Sequence, residues 1–145
     1  ITGGPTTVWG RIRTPTIIRT RRGRKALDAL QRAALAAAAA SEKKANDVRV
    51  LDVSSITLVT DFLVICSAGN SIQVRAIADH VEERLEAQGR QPRGIEGYKE
   101  GRWVLLDYGD VIVHVFLQEE REYYSLERLW GDAKPVDVEA VELSR

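Results

Sequence analysis

Methionine is absent from the 145 residues, cysteine occurs once at Cys66, and histidine twice, at His80 and His114. One cysteine forbids an intrachain disulfide and cannot build a thiolate cage. The two histidines, on what read as a helix and a strand, lack the spacing of a zinc motif such as HExxH, so no metal is expected. Cys66 lies in an apolar run where any small hydrophobe would serve, which is compatible with a reducing compartment. No stretch approaches the roughly 18 apolar residues of a membrane span, and no apolar signal core follows the amino terminus. A soluble chain without a membrane partner is therefore expected.

Charge is balanced in total, with 21 basic and 21 acidic residues, but unevenly placed. Arg11, Arg13, Arg19, Arg21, Arg22, Arg24 and Lys25 make residues 1–25 basic with no acidic residue. Taking those seven from the 21 basic residues leaves 14 against all 21 acidic ones, a net charge of −7 for the remainder. An anionic body repels phosphates and attracts cationic partners, so little direct RNA contact by the folded part is expected. The leader mixes Gly, Pro, Thr and Arg without a sustained period and reads as disordered. It fits upstream sequence from a mis-start, an organelle transit segment, or an RNA-contacting arm; the lack of Met favours an incomplete or mis-started chain.

Regular periods begin after Lys25. Leu27, Leu30 and Ala34, with Leu35 beside them, recur at helical spacing through an alanine-rich stretch, which predicts a helix ending near Lys44. Val48–Val53 and Phe62–Ser67 are short and rich in β-branched residues, as strands are. Asn70 and Ser71 supply a helix start, and Val74, Ile77, Ala78, Val81 and Leu85 mark the buried face of a helix that stops at Gly89. Apolar runs on both sides of Tyr108, Gly109 and Asp110 predict a hairpin with a tight, Gly-first turn. Its returning strand is apolar on both faces and so belongs centrally in the sheet. A short strand is expected before the hairpin, and a last helix places Tyr123, Leu126 and Trp130 on one face before Gly131 and Pro135 end it. The sum is an α/β domain over residues 26–135, a mixed sheet of about five strands flanked by helices, with a tail at 136–145.

No catalytic constellation emerges. Ser67, Gly69, Asn70 and Ser71 lack a full phosphate-loop pattern and read better as a loop with a helix cap. Asp107 and Asp110 flank the turn at i and i+3, whereas paired metal carboxylates on one strand sit two residues apart to share a face. Asp61 is isolated. His114, between Ile112 and Phe116, reads as a structural or pH-sensitive polar contact, and His80 as a helix-surface residue.

The stretch from Val50 to Trp130 resembles the RsfS/Iojap family of ribosomal silencing factors nearly throughout. The motifs that carry the resemblance are TDFLVI at Thr60–Ile65, WVLLDYGDVIVHVF at Trp103–Phe116 and YYSLERLWGD at Tyr123–Asp132, in that order. The first helix matches loosely and the leader not at all. The resemblance implies a nucleotidyltransferase-like fold without its catalytic carboxylates, no enzyme activity and no cofactor. It also implies binding to the large ribosomal subunit through its ribosomal protein of the L-fourteen family, steric block of small-subunit joining, and repression of translation.

A net-negative domain with aromatic anchors suits a basic protein partner. The expected interface centres on Trp103, Leu105, Asp107, Tyr108, Gly109 and Asp110, with Glu96 and Tyr98 beside it and Glu119 and Tyr123 following. Trp103 would anchor, Asp107 and Asp110 would pair with Arg or Lys, and Gly109 would permit the turn; Trp103 and Tyr123 could equally pack the core. An active nucleotidyltransferase and a generic acidic protein-binding module are the rival readings, and a homodimer stays open. Cytoplasm is the default location, with plastid or mitochondrion the alternative if the leader is a transit segment.

Overall fold

The computed structural model describes residues 21–124 and 131–137, with side chains described over 28–122 and 131–137. In chain order the elements are α1 (Arg21–Glu42), β1 (Asn46–Asp52), β2 (Phe62–Ala68), α2 (Ser71–Glu86), β3 (Gly94–Glu96), β4 (Trp103–Asp107), β5 (Val111–Leu117), α3 (Gln118–Tyr124) and β6 (Lys134–Pro135). They form an α/β domain around one mixed sheet of order β3-β4-β5-β2-β1-β6. Only β2 and β5 run parallel; the other neighbours are antiparallel.

The central pair reflects composition. All seven residues of β2 are buried, and β5 beside it is buried at five of seven positions, because both strands carry apolar side chains on both faces. One face packs under α1 and α2. There Ala29, Ala33, Ala36, Ala37 and Ala40 bring the α1 backbone close to its neighbours, while Val74, Ile77, Ala78, Val81 and Leu85 line α2. The helix α2 starts where the Asn70 side chain accepts the Gln73 N–H at 2.8 Å. The chain leaves α2 through a turn at Gly89, φ +81°, in which the Gly89 and Arg90 N–H groups donate to the Glu86 and Leu85 carbonyls. On the opposite sheet face Leu51, Val53, Leu63, Ile65 and Phe116 form a second cluster, with Trp103, Ile112 and Ala133 against it.

The sheet extends at one edge past the strands that carry a period in the sequence. Among the described residues it has six strands, because Lys134 and Pro135, the latter expected only to terminate the last helix, pair with β1 and bury Val136 beyond them. A proline is tolerated there because β6 is an edge and needs no N–H on its outer side. The last helix is described only to Tyr124, so the expected face of Leu126 and Trp130 lies outside the described residues. The amino end of β1 is irregular, with Asp47 at φ +49°, and the buried Arg121 guanidinium of α3 holds it by donating to the Asp47 carbonyl at 2.8 Å and the Ser67 hydroxyl at 3.2 Å.

Candidate protein-docking face

Strand β4 alternates. Val104 and Leu106 enter the core under the helices, so Trp103, Leu105 and Asp107 project from the other face. The two-residue turn at Gly109 and Asp110 sets the register: Trp103 opposes Phe116, Leu105 opposes His114, and Asp107 opposes Ile112. On the outer side Glu96 of β3 opposes Leu105. A partly exposed apolar strip of Trp103 and Leu105 on β4 and Ile112 on β5 therefore runs over two strands, with carboxylates at Asp107 and, on β3, Glu96.

Aromatic contacts order the strip. The Trp103 ring lies 4.8 Å from Phe116, tilted by 30°, and its Nε1–H donates to Nδ1 of His114 at 3.0 Å. His114 is buried, and burial pushes its pKa down to about 4, so the ring is neutral and its Nδ1 lone pair can accept. The Asp107 carboxylate accepts from the Gly109 N–H at 2.8 Å and from Arg93 at 3.3 Å, closing the turn on itself. Gly109 has φ +88°, which a residue with a side chain rarely adopts.

The remaining expected residues scatter. Tyr108 is 2 % exposed and leaves the strip for the core under α2, where burial raises its pKa; its side chain has no surface to offer a partner. Asp110 turns to the helix layer, pairing with Arg32 of α1 and lying 3.9 Å from Arg90. Its carboxylate is thus engaged within the chain. Tyr98, half exposed, also turns to the helices and donates to Asp79 of α2 at 3.1 Å. Glu119 is exposed in the first turn of α3, 4.0 Å from Arg102, and the Tyr123 side chain lies outside the described residues. Trp103, Leu105, Asp107 and Glu96 are the expected residues that share one face.

Sequence reasoning overlooked the loop between β1 and β2, where Ile56, Leu58 and Val59 are exposed apolar side chains. It stands near the hairpin turn, since the Asp61 and Phe62 N–H groups both donate to the Asp110 carbonyl. The run SSITLVT reads as a polar linker, and nothing in its pattern marks the apolar residues as outward. Burial pushes the Cys66 thiol up to about 12, so it carries no reactive thiolate. Among the described residues no group of three His, Cys, Asp or Glu could hold a metal ion, and no helix is long and apolar enough to cross a membrane. A shallow cavity of about 150 Å³ lies beside Arg32 and Arg90, away from the strip.

The fold and this face define a six-stranded mixed α/β domain with helices over one side and an aromatic, acid-flanked strip on the other. Residues 26–145 match the family described as ribosomal silencing factor during starvation, and the chain belongs to that family. It is 47% identical over 105 residues to the Bacillus subtilis protein named ribosomal silencing factor RsfS, covering 72% of this chain and 89% of that one. It is 39% identical over 102 residues to the chloroplastic protein Iojap of Zea mays, covering 70% of this chain and 44% of that longer one. A crystal structure of a Chromobacterium violaceum protein superposes with a TM-score of 0.66 at 39% identity, covering 67% of this chain and 81% of that chain.

Proposed function

We propose that this chain binds the large ribosomal subunit through the ribosomal protein of the L-fourteen family, blocks joining of the small subunit by occupying its place, and so represses translation without catalysing a reaction. The observation that carries the proposal is the strip of Trp103, Leu105 and Ile112 flanked by Glu96 and Asp107, on a chain whose family is named for ribosomal silencing. Apolar side chains at the centre and carboxylates at the rim suit a basic ribosomal protein, with charge steering the encounter and the aromatic ring holding it. The net charge of −7 outside the leader keeps the domain from gripping RNA phosphates. A cytoplasmic location goes with this reading, or an organelle if the basic leader is a transit segment.

Sedimentation of purified subunits tests it. Wild-type protein should co-migrate with the large subunit alone and reduce formation of joined ribosomes. Trp103→Ala should weaken that association at least tenfold. The charge arm is best tested with Glu96→Lys, because that carboxylate is exposed on the face of the strip, whereas Asp107 closes the turn and Asp110 pairs with Arg32. Charge reversal at a rim should slow association and steepen its loss with salt. Wild-type protein that neither co-migrates nor changes joining would sink the proposal and leave a different basic partner as the alternative.

A further inference from the structure

His114 stands where strand composition calls for another aliphatic residue. Its neighbours along β5 are Val113 and Val115, and its register partners are Leu105 on β4 and Ile65 on β2. Placing an imidazole there removes a polar ring from water, and a buried polar group persists where it has a hydrogen-bond partner. The partner is Trp103, whose Nε1–H donates to Nδ1 at 3.0 Å; with Nδ1 accepting, the neutral ring carries its proton on Nε2. The imidazole also stacks on Phe116, with ring centroids 6.0 Å apart and planes at 12°.

The Phe116 ring, 4.8 Å away and tilted by 30°, also touches the indole, but a contact between aromatic rings is weakly directional and is compatible with more than one torsion of the indole. The hydrogen bond is directional and is made in one of those orientations only. We infer that His114 is a positioning residue for docking: through the Trp103–His114 hydrogen bond it holds the indole in the single orientation that a basic partner meets. The inference rests on the docking reading above and names what pre-organises its anchor. An anchor already fixed before binding loses less conformational freedom on association, so the effect belongs in affinity even where the fold is unchanged.

Two variants at the same position separate orientation from bulk. His114→Phe keeps a flat ring without an acceptor, and His114→Asn places a carbonyl oxygen near the Nδ1 position without the ring. Each is checked for folding by its amide spectrum. The indole N–H resonance of Trp103, assigned by its disappearance in Trp103→Phe, should be shifted downfield and exchange slowly in the wild type. It should lose both properties in His114→Phe and regain them in His114→Asn. Affinity for purified large ribosomal subunits should fall about tenfold in His114→Phe and return to within about threefold of wild type in His114→Asn. A folded His114→Phe chain of wild-type affinity overturns the inference, as does an indole resonance indifferent to both substitutions. Should Trp103→Ala bind the subunit as tightly as wild type, the docking reading itself fails, whatever the resonance reports.

Discussion

Gly97→Ala is expected to destabilise the domain by about 3 kcal/mol, roughly 10 °C in thermal midpoint. Two costs coincide there. The backbone sits at φ +79°, where an L side chain is strained, and a Cβ would lie 2.1 Å from the Trp103 carbonyl oxygen. That oxygen is main chain in β4, so it cannot swing aside as the end of a side chain could. Either the loop at Gly97 or the strand itself must move. Movement of the strand would carry Trp103 with it, so subunit binding should weaken at temperatures where the variant is still folded. Gly69→Ala provides the contrast, since a Cβ there meets nothing within 4 Å at an ordinary φ. It should be neutral, or slightly stabilising through the unfolded chain. Denaturant titration of the two variants checks both, and a Gly97→Ala chain within about 1 kcal/mol of wild type would show that the loop relaxes freely.

How far such features can be read from sequence depends on the range of the interaction behind them. The periods of α2, β2 and β5 are local, and the apolar character of β5 on both faces places it centrally because nothing but burial accommodates it. The hairpin register was also within reach: a two-residue turn at Gly109 and Asp110 pairs Leu105 with His114, which puts Trp103 diagonally beside that histidine. The strand β6 was not within reach, since two residues with a proline carry no period and derive their structure from β1. Tyr108 and Asp110 turn to the helix layer, away from the strip, for a related reason. Residues at a hairpin turn ordinarily face solvent, but here Arg90, just past α2, donates to the Tyr108 carbonyl, and Arg32 of α1 meets Asp110 from 78 positions away. Those contacts are products of the tertiary fold. The strip of Trp103 and Leu105 was legible because strand alternation alone separates it from Val104 and Leu106.

Lowering the pH should expose the cost of keeping His114 neutral. In the unfolded chain a histidine titrates near 6.5, whereas burial holds the folded His114 down to about 4. Between those values the unfolded chain binds the extra proton and the folded one does not, so stability falls as the pH falls. The contribution is fully present above pH about 6.5, declines through the window, and levels off below about 4. Its size by pH 4.5 is roughly 2.5 kcal/mol, since each unit of difference is worth about 1.4 kcal/mol. The surroundings named by register, Leu105 on β4 and Ile65 on β2, bring no charge to offset it, and the adjoining Trp103 N–H donates to the very lone pair a proton would take. Glu42, drawn below its ordinary value by hydrogen bonds from Arg84 and then His80, also loses stability in acid, but it is exposed and acts lower in pH. Denaturation midpoints at pH 4.5, 5.5, 6.5 and 7.5 should therefore fall steeply for wild type and for His80→Gln, and stay nearly flat for His114→Phe over the same window. An unchanged slope in His114→Phe would mean that the buried imidazole finds a proton acceptor in the folded state, and the orientation of Trp103 would then have to be held by something other than a neutral ring.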